Sequence, residues 1–138
     1  MASAYCTYLK NLLLNYLHGV SPPAQPANVY VGLATSCNAA GTITGEPSGN
    51  GYARVLVDND SATTWSASTV GSKTNANATI VFPQCTTTGW GALTIFFVST
   101  ASSGNTDTLY YGDLSPAITV NVGDTPSFAT SQLTVTLT

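Results

Sequence analysis

The sequence predicts an all-β protein: an antiparallel β-sandwich, jelly-roll-like or Ig-like, preceded by one N-terminal α-helix. Three observations lead to this fold class. Helical periodicity is confined to the start of the chain, about seven or eight short β runs follow, and no later helix is available to connect parallel strands. A chain of 138 residues suits one domain with one core.

The first predicted element is a helix of about four turns from Ser3 to His18. Its apolar residues recur at spacings of three and four, which places them in one stripe along the helix. The stripe consists of Tyr5, Leu9, Leu12, Leu13, Tyr16 and Leu17. Ser3 suits the N-cap of this helix, and Gly19 suits its C-terminal stop.

Three closely spaced prolines follow the helix and prevent its continuation, so a stiff, extended segment is predicted there. After them the chain changes to short β runs. The predicted organisation is a docking or oligomerisation helix at residues 1–20, a Pro-rich linker at 21–27 and a β-sandwich domain at 28–138.

The β runs are recognised by alternating or continuous apolar residues between Gly, Asn, Ser and Pro. Strands are predicted at Asn28–Ala34, Tyr52–Val57, Thr79–Phe82, Gly91–Ser99, Thr108–Tyr111, Ala117–Val122 and Leu133–Thr138, with a short one starting at Trp65. Between them, Thr35–Gly51 is predicted as a loop, Gly71–Asn77 as a turn and Asp113–Pro116 as a break. The predicted core includes Phe82, Trp90, Leu93, Ile95, Phe97, Leu109, Val120, Leu133, Val135 and Leu137. Gly91–Ser99 is apolar on both faces, which predicts a central strand covered on both sides.

The charge content excludes two classes of partner. Only 7% of the residues are charged, against a typical value of roughly 25%, and Lys10, Arg54 and Lys73 are the only strong cations. Three scattered cations cannot replace the counterions of a nucleic acid or hold an anionic membrane surface. The sequence also shows neither a transmembrane span nor a signal peptide, so synthesis in the cytoplasm is expected.

The sequence shows no catalytic, cofactor or metal motif. The single histidine, His18, is placed at the predicted helix end, where a helix-dipole role or plain exposure explains it. The stretch Asp58–Asp60 begins like a calcium loop but lacks the glycine and distal glutamate that complete one. A pair of carboxylates for glycosidase chemistry could come from Glu46, Asp107, Asp113 and Asp124. Each of them lies close in sequence to a turn-forming Gly, Pro or Asn, so a role in turns explains them equally well. We therefore expect no enzyme activity and no cofactor.

The cysteines Cys6, Cys37 and Cys85 are odd in number and lack metal-type spacing. Buried free thiols are the favoured interpretation, since free cysteine packs as a small hydrophobe. At most one disulfide within the chain is the alternative. The seven tyrosines suit a core or a subunit contact, with sugar binding as the less favoured role.

Eight short segments, taken in order, resemble a known family. They are Leu13–Leu17, Val29–Thr35, Gly49–Arg54, Ala78–Pro83, Gly89–Gly91, Leu109–Gly112, Val122–Pro126 and Leu133–Leu137. Together they are similar to small proteins of tailed bacteriophages, commonly labelled phage tail fibre protein or virion structural protein. The chain departs from that pattern at Leu93–Phe97, where many relatives carry His and Asp. The resemblance implies a component of the virion and does not indicate which part.

The chain lacks coiled-coil heptads and β-helix repeats, so a chain this short cannot itself be a long fibre. We therefore expect a non-enzymatic capsid decoration or cement protein on the particle surface. The alternative is a tail or tail-fibre component that could bind host glycans. The expected partners are other copies of the chain, for example in a trimer, and the major capsid protein or tail proteins.

Two roles remain open for the apolar stripe of the helix. It could pack on its own sandwich and close an open end, or it could pack against neighbouring subunits and build an oligomer. The Pro-rich segment favours the second role slightly, because a semi-rigid spacer could hold the helix away from its own core.

Overall fold

The computed structural model describes residues 3–19, 24–60, 63–68 and 71–136. Its elements are β1 (Ser3–Tyr5), α1 (Thr7–Leu17), β2 (Asn28–Ala34), β3 (Ser36–Cys37), β4 (Ile43–Thr44), β5 (Val55–Asp58), β6 (Ser72–Thr74), β7 (Ile80–Val81), β8 (Gly91–Ser99), β9 (Thr108–Val120), β10 (Ser127–Phe128) and β11 (Thr134–Thr136). The described chain is thus mostly β with one short helix near the N-terminus, which confirms the predicted all-β class.

The main sheet has five antiparallel strands in the order β1-β9-β8-β2-β5. Three two-stranded antiparallel ladders accompany it: β7 with β10, β6 with β11, and β3 with β4. Phe128 of β10 sets its ring edge-on against Phe96 of β8, with centroids 6.0 Å apart. That contact places the small β7–β10 ladder over one face of the main sheet, as a sandwich requires.

Strand β8 is covered on both faces, as its apolar sequence predicts. Leu93, Phe96 and Val98 belong to the larger buried cluster of the core, and Ile95 and Phe97 belong to a second cluster. The second cluster includes Ile43 from β4, so the β3–β4 ladder covers the other face. Of the predicted core, Phe82, Leu93, Ile95, Phe97, Leu109, Val120 and Leu133 are buried, Trp90 and Val135 pack against the core, and Leu137 lies outside the described residues.

The structure corrects the predicted helix at its start. The residues Ser3–Tyr5 pair with Gly112–Tyr110 of β9 and form the edge strand β1, so the helix begins only at Thr7. Cys6, not Ser3, occupies the N-cap. The sheet edge offers this segment a backbone partner that a helical pattern in the sequence does not reveal. The predicted stop is confirmed, since Gly19 follows the C-cap with φ of 74°.

The predicted break at Asp113–Pro116 is also corrected, because β9 runs through it from Thr108 to Val120. Leu93 of β8 faces Ile118, whereas Ile95 faces Asp113, so residues 114–117 bulge out of the ladder opposite one residue of β8. A proline without an N–H is tolerated in a strand at such a bulge.

Other differences concern short elements. Trp65 is buried in the core outside any described strand, β3 and β4 lie within the predicted loop, and β6 lies within the predicted turn. The strand predicted from Tyr52 begins at Val55. These ladders are two to four residues long, and long-range pairing rather than local periodicity creates them.

Candidate functional site

The six residues of the predicted stripe have three different environments. Tyr5 lies on β1, outside the helix, and Leu9 and Leu12 pack partly buried against the large core cluster. The remaining three are exposed: Leu13 by 44%, Tyr16 by 63% and Leu17 by 71%. The helix therefore packs on its own sheet with its N-terminal half and presents its C-terminal half to solvent.

The N-terminal half is held by backbone hydrogen bonds from both sides. The Cys6 N–H donates to the Leu109 carbonyl at 2.9 Å, and the Thr7 N–H donates to the Ala39 carbonyl at 3.0 Å. The Tyr5 hydroxyl donates to the Thr136 carbonyl, which joins β1 to the last described strand. These bonds fix where the helix starts and in which direction it leaves the sheet.

The exposed end of the helix forms the apolar tip, which we define as Leu13, Leu14, Tyr16 and Leu17. Leu14 is 56% exposed and was not part of the predicted stripe. It lies about 100° round the helix from Leu13, so a search for a single stripe omits it. The run Asn11–Leu17 contains no charged residue, so the tip is an uncharged apolar surface. Clustered apolar side chains of this kind mark interaction sites more often than single exposed residues do.

A cleft of about 360 Å³ lies between the helix and the body of the protein. Its apolar wall includes Leu9, Leu13 and Val135, and its aromatic lining consists of Tyr5, Trp65 and Tyr110. Burial raises the pKa of the Tyr5 and Tyr110 hydroxyls, which therefore stay protonated at neutral pH. The Trp65 indole N–H is buried and has no hydrogen-bond partner among the described residues. Sugar binding at such an aromatic surface stays a prediction.

Among the residues considered for catalysis, Glu46 and Asp124 have side chains in structural hydrogen bonds, and His18 contributes its backbone to the helix cap. His18 caps the helix, its N–H donating to the Leu14 carbonyl at 3.0 Å. The Glu46 carboxylate pairs with Arg54, and Asp124 accepts a turn hydrogen bond from the Asn121 N–H at 2.8 Å. Within the described ranges, no three His, Cys, Asp or Glu side chains cluster as metal ligands. None of the helices described there is long and apolar enough to cross a membrane.

Comparison with known proteins gives one match that covers almost the whole chain. The model of the family Gp80, described as "Podophage GP4 fiber I protein gp80", matches residues 4–136. No curated protein matches the chain. The family match includes the apolar tip and all of the main sheet except Ser3.

Proposed function

The chain belongs to the family of the podophage GP4 fiber I protein gp80, and from this premise we propose that it is a component of the tail fibre. Membership in this family makes the chain a structural protein of a tailed-phage virion. The family description supports the tail alternative better than the capsid decoration expected from the length of the chain. The particle surface is the corresponding location.

The proposed role is self-association: the apolar tip of one copy of the chain binds a second copy. The contact between copies would cover leucines that are now largely in water. Covering an exposed leucine completely is worth roughly 1.5–3 kcal/mol. Leu14 and Leu17 are more than half exposed, so together they would contribute about 2–4 kcal/mol to such a contact from each of the two copies.

The uncharged character of the tip supports association between identical chains. Two copies of one surface carry the same charges, so a surface without charges lets identical chains meet without repulsion between like charges. The charged residue nearest in sequence to the tip is Lys10, one helical turn before Leu13. We further propose that the protein acts without catalysis, as expected from its sequence.

The position in the particle is tested by fractionating purified virions into capsids and tails and measuring the copy number by quantitative mass spectrometry. A fibre component is expected in the tail fraction at a small number of copies per particle. Its presence only on capsids, at hundreds of copies, would contradict the proposal and favour a role in capsid decoration instead.

The binding surface is tested with the double variant Leu14→Gln/Leu17→Gln. Glutamine keeps the helix propensity and nearly the size of leucine while removing the apolar surface. The dissociation constant between copies, measured by analytical ultracentrifugation, is expected to rise by about a thousandfold or more, because both copies lose these two leucines. The matched control is Leu56→Gln, a change of a 54%-exposed leucine on β5. Equal association of wild type and the double variant would exclude the tip as the contact.

A further inference from the structure

Two of the three free thiols lie at the contact between the start of the helix and the β3–β4 ladder. Cys6 connects β1 to α1 and is fully buried, whereas Cys37 lies on β3 and is partly exposed. The two thiols influence each other's pKa, although 30 intervening residues separate them in sequence. The Cys37 thiol donates to the carbonyl of the next residue, Asn38, at 3.5 Å. The third cysteine, Cys85, is buried elsewhere, with its thiol donating to the Thr88 carbonyl at 3.2 Å.

The backbone around the thiol pair holds it in place. The turn between β3 and β4 presses directly on Cys6, since a side-chain carbon at Gly41 would lie 3.2 Å from the Cys6 Cβ. The Ala39 carbonyl in the same turn accepts hydrogen bonds from both the N–H and the Oγ1 of Thr7, at 3.0 and 3.2 Å. The start of the helix and the β3–β4 ladder therefore already form one contact, with the two thiols inside it.

We propose that Cys6 and Cys37 form a disulfide when the protein passes from a reducing to an oxidising environment, and that this bond ties the start of α1 to the β3–β4 ladder. The oxidant is a low-molecular-weight disulfide such as oxidised glutathione. One equivalent of it takes up the two electrons and two protons of the protein thiols and leaves as two reduced thiols. A cytoplasm keeps such thiol pairs reduced, and the extracellular medium does not.

Exposure sets the order of the two exchange steps. The thiolate of partly exposed Cys37 attacks the small disulfide first, which forms a mixed disulfide and releases one small thiol. The buried Cys6 then attacks the Cys37 sulfur, closes the protein disulfide and releases the second small thiol. Burial raises the pKa of Cys37 to about 12 and raises that of Cys6, so few thiolates exist at neutral pH and the exchange is slow there. The rate of closure therefore increases as the pH rises towards about 10.

The bond would stabilise the edge of the fold that carries the apolar tip. A cross-link that closes a loop of about 30 residues is expected to raise the melting temperature by on the order of 10 °C. The bond joins two segments of the chain that already contact each other. This inference does not depend on which part of the particle contains the protein.

The test incubates the purified, reduced wild-type chain with oxidised glutathione, then blocks the remaining thiols in denaturant and measures the intact mass. We expect a product that has lost two hydrogen atoms and accepts one blocking group, and peptide mapping should join Cys6 to Cys37. The Cys85→Ala variant, as the matched control, should form the same bond, and Cys37→Ser should form none.

Two outcomes would overturn the proposal. One is a chain that accepts three blocking groups after prolonged oxidation at about pH 9, while still folded by circular dichroism. The other is a disulfide between chains, or one that contains Cys85. Both are read from wild-type protein, so the result does not depend on a variant that folds.

Discussion

The ion pair between Glu46 and Arg54 gives the sharpest prediction about stability. The Arg54 side chain is 1% exposed and donates from Nε and Nη2 to the two carboxylate oxygens of Glu46, at 2.7 and 2.8 Å. Two further N–H groups, on Nη1 and Nη2, donate to the carbonyls of Ala101 and Gly104, at 2.9 and 2.7 Å. The guanidinium also lies 4.8 Å from the centroid of the Phe97 ring. One buried cation thus joins two loops to the central strand.

The perturbation is Glu46→Gln, which keeps the shape of the side chain and removes its charge. Arg54 would then stay buried with carbonyl partners but without a counter-charge. Breaking a buried pair in this way costs about 3–5 kcal/mol, and the 22% exposure of the Glu46 side chain places the expected cost near the lower end. A loss of about 3 kcal/mol corresponds to a melting temperature lower by about 10 °C in a chain of this size.

The assay is urea unfolding followed by tryptophan fluorescence, with the free energy of unfolding taken from the linear extrapolation. The control is Asp113→Asn, which removes a carboxylate from an exposed position on β9 and should change the free energy by less than about 0.5 kcal/mol. If Glu46→Gln costs less than about 1 kcal/mol, the pair behaves as a surface ion pair, and the reasoning from burial is wrong.

Two further predictions concern buried polar groups. Asn75 is fully buried and bonds the Leu133 N–H and the carbonyls of Ala78 and Ala129, each at 2.9 Å, so Asn75→Ala should lower the free energy of unfolding by about 2–4 kcal/mol in the same urea assay. Burial raises the pKa of Tyr52 and Tyr110 above the ordinary 10.0, so the folded state holds their protons more tightly than the unfolded state does. Stability is then complete below about pH 10 and decreases as the pH rises further, and an unchanged urea midpoint between about pH 8 and pH 11 would contradict this.

The two strands predicted with correct bounds are those whose burial alone specifies them. Asn28–Ala34 and Gly91–Ser99 are apolar runs that occupy the interior of the main sheet, next to each other. A strand in that position needs apolar side chains on both faces, and this requirement is visible in the sequence of each strand by itself. Gly32 on β2 is explained by the close packing between these two strands, because a side-chain carbon there would lie 2.2 Å from the Phe97 ring across the ladder.

The elements that sequence reasoning missed depend on partners far away in the chain. Strand β1 exists because β9, more than 100 residues later, offers its edge, and β6 exists because β11 pairs with it. Neither segment shows the alternation of apolar and polar residues that would distinguish a strand from a helix or a turn in the sequence. Arg54 is comparable: the sequence identifies it only as one of three scattered cations, and the fold shows that Glu46 and two loop carbonyls surround it.

The sequence predicts most of the apolar residues of the candidate site, but not which of them pack on the sheet and which remain in solvent. Periodicity identified apolar residues on the helix, and the two roles left open for them were packing on the sheet and packing on a neighbour. The structure assigns Leu9 and Leu12 to the first role and leaves Leu14 and Leu17 in solvent. The boundary depends on where the helix begins, and that point is set by β1 and its hydrogen bonds rather than by the helix sequence.

This division determines which substitutions can report on assembly. Leu9 packs against the core and also lines the cleft beside the helix, so replacing it would destabilise the monomer and weaken any contact at the tip together. Leu14 and Leu17 have more than half their surface in water, so their replacement costs the monomer little. A loss of association in the Leu14→Gln/Leu17→Gln variant with an unchanged free energy of unfolding therefore identifies a contact between chains. If association and the free energy of unfolding decrease together, the tip instead stabilises the fold of the single chain.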